Sequence, residues 1–368
     1  MTNALAMRAS SAQPPRRWLR RRRYDRAMNT LMLAALPANA RPTFASTTTD
    51  DPHLTRAGIT PVDAARIGEA LAAARTDGTR RLYDVVWGQW QRWCTDRDVA
   101  AVPADPLAVC AYLTERAEAG RATGTLDMSC TVIRHVHRTT GAADPIASEV
   151  VRQVRRGLRR TYGAAPRRLA RPLSVEEIRQ IVGAIDRTSP HGIRDAAIIL
   201  IGYASAMRRA ELVTLDLADV EHNPAGLLLN IRQSKTDPEG HGQQVAVAHG
   251  QRALTDPVAA LNAWRTVRGD EPGALFTRIW GNTISSQRLS GHVPARMLRA
   301  RAQAAGLDGT RITAHSLRAG HATTAALAGV SLDRIAAQTR HKDLTVLVNR
   351  YIRPIQALEN TSSRDLGL

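Results

Sequence analysis

From residue 61 onward, apolar and polar positions recur with a helical period. Pro61-Val62-Asp63 opens an alanine-rich run that closes near Thr76-Asp77-Gly78. In residues 79–94, Leu82, Val85, Val86, Trp90 and Trp93 sit mostly three or four positions apart, which lines one face of a helix with apolar side chains. Asp105 before Pro106 is an N-cap followed by a first-turn proline, and a helix over 107–119 is expected. Helices over 123–140 and 146–162 follow, each bounded by glycine or proline. Residues 59–163 are therefore predicted to be a helical domain. Trp87, Trp90 and Trp93 are expected in its core or at helix contacts, not as base-stacking platforms.

Small residues, prolines and arginines mark 164–173 as an exposed basic linker. Ser174-Val175-Glu176-Glu177 is a capping box, so a second domain over 174–368 starts there. Helices are expected over 175–185 and 193–206, the second largely apolar and buried, with charge returning abruptly at Arg208-Arg209-Ala210-Glu211. Burying arginine without a partner is expensive, and Glu211, three residues on, could hold the Arg208 guanidinium. Strands over 227–231 and 244–248 flank a turn carrying Lys235. Then come a helix to about residue 267, an irregular stretch over 269–291, and a helix over 294–305. Short helices are expected over 315–327, 332–338 and 344–351. The fold class is mainly α with a small antiparallel β-sheet.

Charge narrows the partner. The net charge is +18 and the sequence pI about 11.2, a balance that points to nucleic acid, with a merely soluble basic protein as the bland alternative. A basic stripe of Arg152, Arg155, Arg156, Arg159 and Arg160 at helical spacing, with Arg167 and Arg168 in the linker, is a candidate phosphate-tracking face; an ordinary solvated face is the alternative. Residues 1–58 carry an arginine cluster without a convincing signal-peptide core; they are expected to be a disordered basic arm, and Met7 or Met28 is an alternative start. Cys94, Cys110 and Cys130 form no CxxC pair and fit a reducing cytoplasm, as buried hydrophobes instead of disulfide or zinc ligands. No apolar run of about 18 residues suggests a membrane span.

Among 51 Lys plus Arg residues, only Lys235 and Lys342 are lysines. Lysine, unlike arginine, can give up a proton and recover it. Arg208, Lys235, His315, Arg318, His341 and Tyr351 together suit a phosphodiester. Arginine forks match the charge on non-bridging oxygens, tyrosine can attack phosphorus, and lysine can protonate the departing sugar oxygen. Histidines can donate hydrogen bonds or move the phenol proton. This chemistry requires no metal, cofactor or ATP.

These motifs in order resemble the tyrosine recombinase (phage integrase) family over about residues 60–360. The resemblance rests on Arg208 with Glu211-Leu212, Lys235 in Ser-Lys-Thr, the His315-x-x-Arg318 box, His341 and Tyr351. It implies a helical core-binding domain and a mixed catalytic domain that close on duplex DNA as a C-shaped clamp. It also implies a covalent 3′-phosphotyrosine, site-specific recombination in a DNA-bound tetramer, possible accessory DNA-bending proteins, and a cytoplasmic, nucleoid-associated bacterial enzyme. One departure is the spacing. Tyr351 follows His341 by ten residues, against nine in the family, and a loop or bulge before Leu344 is expected to absorb the excess. The competing readings are a helix-turn-helix regulator, with Gly329-Val330-Ser331 between its helices, and a catalytically inactive architectural DNA binder.

Overall fold

A computed structural model describes residues 60–163, 170–232, 242–341, 343–349 and 366–367. The chain divides into two compact units on either side of the Arg167–Arg168 bond. Among the described residues, no helix is long and apolar enough to cross a membrane. The expectations for residues 1–58, Arg167 and Arg168 lie outside the described residues.

The first unit holds α1 (Pro61–Ala73), α2 (Asp77–Thr95), α3 (Pro106–Glu118), α4 (Thr123–Thr140) and α5 (Glu149–Tyr162). Local chemistry sets their starts. Thr60 and Asp63 form a capping box, and the Asp105 carboxylate accepts the Leu107 N–H at 2.7 Å. α5 begins later than residue 146. Asp144 instead caps a 3₁₀ turn over Pro145–Ala147, and the chain runs extended through Ser148 before the helix.

The three tryptophans are buried as expected. Trp90 is wholly inaccessible, stacks on Trp93 at 5.4 Å between ring centroids, and meets the edge of Tyr112 at 5.1 Å. Its indole N–H donates to the Ala101 carbonyl at 3.2 Å, so the ring enters the core without stranding its donor. Trp90→Ala should cost about 3–5 kcal/mol, read by denaturant unfolding; a loss under about 1 kcal/mol would place the core elsewhere. The cysteines are free and buried, and burial pushes the Cys94 and Cys130 thiols up to about 11.

The second unit comprises α6 (Val175–Gly183), α7 (Pro190–Ala204), α8 (Arg209–Thr214), β1 (Val220–Asn223), β2 (Gly226–Ile231), β3 (Gln243–Ala248), α9 (Pro257–Arg268), β4 (Thr277–Trp280), β5 (Thr283–Arg288), α10 (Val293–Ala304), α11 (His315–Leu327), α12 (Leu332–Thr339) and α13 (Leu344–Leu347). β1, β2 and β3 form an antiparallel sheet in that order, with Leu229 opposite Val220 and Val245. Apolar residues of α6–α10 and of β2–β3 share one core, in which Leu229, Leu261 and Trp264 are fully buried.

Two features depart from the sequence expectation. Residues 269–291 are not wholly irregular, because β4 and β5 pair there as a second hairpin. Its strands are half-exposed and polar, so they carry no apolar alternation to announce them. In α7, Arg194 and Asp195 are buried along with the apolar residues. Asp195 accepts from Arg194 at 2.9 Å and from Arg301 of α10 at 2.8 Å, while Arg194 donates to the Thr277 carbonyl. Charge can sit inside this helix because each group has a partner.

Candidate active site

α7 stops at Ala204, and the chain then turns sharply through Ala206, whose φ of 51° is left-handed. That conformation costs an alanine roughly 1–2 kcal/mol. The Ser205 hydroxyl accepts the Met207 N–H at 3.3 Å and steadies the turn. The turn presents two groups in opposite directions along the chain. The Ala206 carbonyl accepts from the Arg318 guanidinium at 2.7 Å, and Arg208 leaves the turn as the residue that starts α8.

Glu211, one helical turn further, is almost completely buried. Its carboxylate accepts the Arg208 backbone N–H at 2.7 Å, the Arg208 guanidinium at 2.7 Å and the Arg340 guanidinium at 2.6 Å. Burial alone would raise its pKa. The adjacent Arg340 and Arg208 outweigh burial and hold it below the ordinary carboxylate range, so Glu211 is ionised.

α11 brings in the second arginine. Arg318 is 2% exposed, and its Nη2 lies 3.5 Å from His341 Nε2. His315 opens the same helix with its backbone N–H on Thr313 Oγ1 at 3.2 Å, and its spacing of three puts it on the Arg318 face. His341 follows the end of α12, with its backbone N–H on the Ala336 carbonyl at 3.1 Å. The Thr339 hydroxyl gives its proton to the Ile335 carbonyl at 2.6 Å, so His341 Nδ1, 2.7 Å away, must be the donor to Thr339. The lone pair is then on Nε2, facing Arg318. Burial, Arg318, Arg208, His315 and Arg340 push the His341 pKa down to about 4, which keeps the ring neutral at pH 7.

Arg208, His315, Arg318 and His341 thus converge on one locality of the second unit, where Glu211 ties Arg208 to Arg340 and the Ala206 carbonyl holds Arg318. A cavity of about 550 Å³ is lined by Arg340 and His341 together with Gln243 and Gln244, the first residues of β3. The strands on either side of the Lys235 segment are paired in register, Ile231 with Gln243. Lys235 and Tyr351 themselves lie outside the described residues. α13 is described over Leu344–Leu347 with a π turn at Val348 and Asn349, and the remainder of the helix expected to residue 351 lies outside the described residues.

The basic stripe of α5 is only partly available. Arg152 pairs with Glu149, and Arg155 and Arg159 share Asp127 at 2.7 Å each. Arg156 and Arg160 are exposed and make no ion pair among the described residues. Sequence reasoning missed Ala206, Thr339 and Arg340. The only signal for Arg340 was a cation where a helix ends and glycine would be usual.

The phage integrase family model matches residues 171–357, the segment that carries every group of this site. The chain belongs to the phage integrase family. An integrase/recombinase xerD homolog from Selenomonas ruminantium is 31% identical over 288 residues, covering 77% of this chain and 83% of that protein. Recombinase cre of Escherichia phage P1 is 26% identical over 304 residues, covering 77% and 86%. A XerH recombinase structure aligns over 92% of this chain and 97% of its own, with TM-score 0.61 and 13% identity. A λ integrase structure aligns over 76% and 73%, with TM-score 0.57 and 20% identity. Both share the fold. The protein is a tyrosine recombinase, a member of a family of enzymes that break and rejoin DNA strands. A helix-turn-helix regulator built on residues 321–347 is not favoured, because the phage integrase match and the recombinase relatives account for that segment as part of a larger enzyme domain.

Proposed function

We propose that Tyr351 of this site-specific recombinase attacks a DNA phosphodiester to form a 3′-phosphotyrosine and release a 5′-hydroxyl, with Lys235 as the acid that protonates the departing oxygen. Arg208 and Arg318 bind the non-bridging oxygens, where the transition state gathers charge. His315 at the mouth of α11 donates a hydrogen bond to the phosphate, whereas His341, neutral with its lone pair on Nε2, can only accept and serves to take the phenol proton. The observation that carries the reading is the shared carboxylate and carbonyl framework, Glu211 and Ala206, that brings Arg208 and Arg318 to one place. The π turn at Val348 and Asn349 supports a way to house the extra residue between His341 and Tyr351, since such a turn accommodates one residue more than an α turn.

The DNA partner is duplex, and four protomers assemble on it; the λ integrase neighbour is a tetramer bound to a Holliday junction. Residues 59–163 act as the core-binding domain, with Arg156 and Arg160 the α5 side chains most available to phosphates. Accessory DNA-bending proteins belong to the same proposal. On a nicked suicide substrate, the protein should give a DNA adduct stable in SDS. Tyr351→Phe should bind the substrate and give none. Lys235→Arg should bind equally and cleave poorly, whereas wild-type cleavage by it would refute the general-acid role.

A further inference from the structure

We propose that Arg340 is a positioning residue, which clamps the loop carrying His341 to the same carboxylate that orients Arg208. The proposal rests on the catalytic reading of Arg208 and His341 above. Arg340 ends α12 with φ 54° and ψ 46°, a left-handed conformation that glycine adopts without steric cost and other residues do not. Its side chain is nevertheless buried, at 5% exposure, and its Nε has no hydrogen-bond partner. A residue needed only to stop a helix would not carry a strained backbone and a desolvated guanidinium together. What offsets both is Glu211, whose Oε2 accepts Arg340 Nη2 at 2.6 Å; Nη1 also reaches the Gln338 carbonyl at 3.3 Å.

The consequence is geometric. His341 is the next residue, so the backbone fixed at Arg340 fixes where the imidazole starts. Glu211 Oε1 holds the Arg208 guanidinium at 2.7 Å, so tension on the carboxylate from Arg340 sets that fork too. α8 and the α12–α13 loop, remote in sequence, are thereby locked as one part. Among the described residues, the groups facing His341 include Arg318 and His315 from α11, Arg208 from the start of α8, Arg340 beside it and the Thr339 hydroxyl. Removing Arg340 takes away one of the cations that hold the imidazole pKa down.

Arg340→Gly relieves the backbone while deleting the clamp, and Arg340→Lys keeps the charge but not the fork. Both are compared with wild type in single-turnover adduct formation across pH and in DNA affinity, with folding checked by circular dichroism. The glycine variant should bind DNA as wild type does and cleave roughly tenfold to a hundredfold more slowly. The acidic limb of its pH–rate profile should move to higher pH, because its His341 protonates more readily. The lysine variant should recover the wild-type limb and part of the rate, and it carries the test alone if the glycine variant does not fold. Wild-type rate with an unmoved limb in Arg340→Gly would overturn the proposal, as would a rate loss wholly matched by lost DNA affinity. An adduct from Tyr351→Phe would instead overturn the catalytic reading, whatever Arg340 does.

Discussion

Glu211→Ala should be among the most damaging substitutions in the second unit, costing about 3–5 kcal/mol of stability and abolishing measurable cleavage. The carboxylate is buried and accepts from two guanidinium groups and one backbone N–H. Without it, Arg340 keeps a buried charge with no counter-charge, and Arg208 loses the hold that aims its fork. Glu211→Gln retains the shape and one acceptor oxygen but no charge, so an intermediate loss is expected. The pH dependence has a definite sign. The folded-state pKa of Glu211 is held below its ordinary value, so its contribution is present above that ordinary value and disappears as pH falls through the depressed one. Urea unfolding of wild type and Glu211→Ala should therefore differ most near neutral pH and converge in acid. Equal stabilities at neutral pH would show that the three-way contact does not hold the site together.

Gly320→Ala should be nearly as harmful, for a reason of space. A Cβ there would lie 2.2 Å from the Leu173 carbonyl oxygen and 2.8 Å from the Tyr203 ring. The carbonyl belongs to the residue whose own N–H donates to the Ser316 carbonyl at 3.4 Å, so it cannot yield without disturbing α11. Overpacking of this kind costs about 1–3 kcal/mol, and more when backbone is the obstacle. Because α11 carries both His315 and Arg318, a shift of about 1 Å should reduce cleavage by roughly a hundredfold. Gly202→Ala provides the contrast. Its nearest obstacles are the ends of the Leu317 and Leu212 side chains, at 2.9 Å and 3.3 Å, which can rotate aside. Thermal unfolding and single-turnover cleavage should rank the two variants in that order; the reverse order would contradict the packing described.

The helices were legible because their signals are local. Asp105-Pro106, Ser174 with Glu177 and the spacing of Trp90 and Trp93 each act within a turn or two. The Arg208–Glu211 pair was legible for the same reason, since residues three apart on a helix must meet. What stayed hidden depends on contacts between distant segments. The left-handed turn at Ala206 has meaning only through Arg318, far along the chain. Arg340 looked like one more arginine until Glu211 was seen opposite it. The β4–β5 hairpin escaped because polar, half-exposed strands leave no alternation to detect. Conversely, the sequence left the α5 stripe open between a phosphate-tracking and a solvated face, and could not show that three of its five arginines, Arg152, Arg155 and Arg159, pair with Glu149 and Asp127.

The most direct measurement is to trap the protein on a suicide DNA substrate, digest both components, and weigh the nucleotide-bearing peptide. One peptide is expected, containing Tyr351 joined through its phenolic oxygen to a 3′-phosphate. A nucleotide on any other side chain, or a link to a 5′-phosphate, would contradict it.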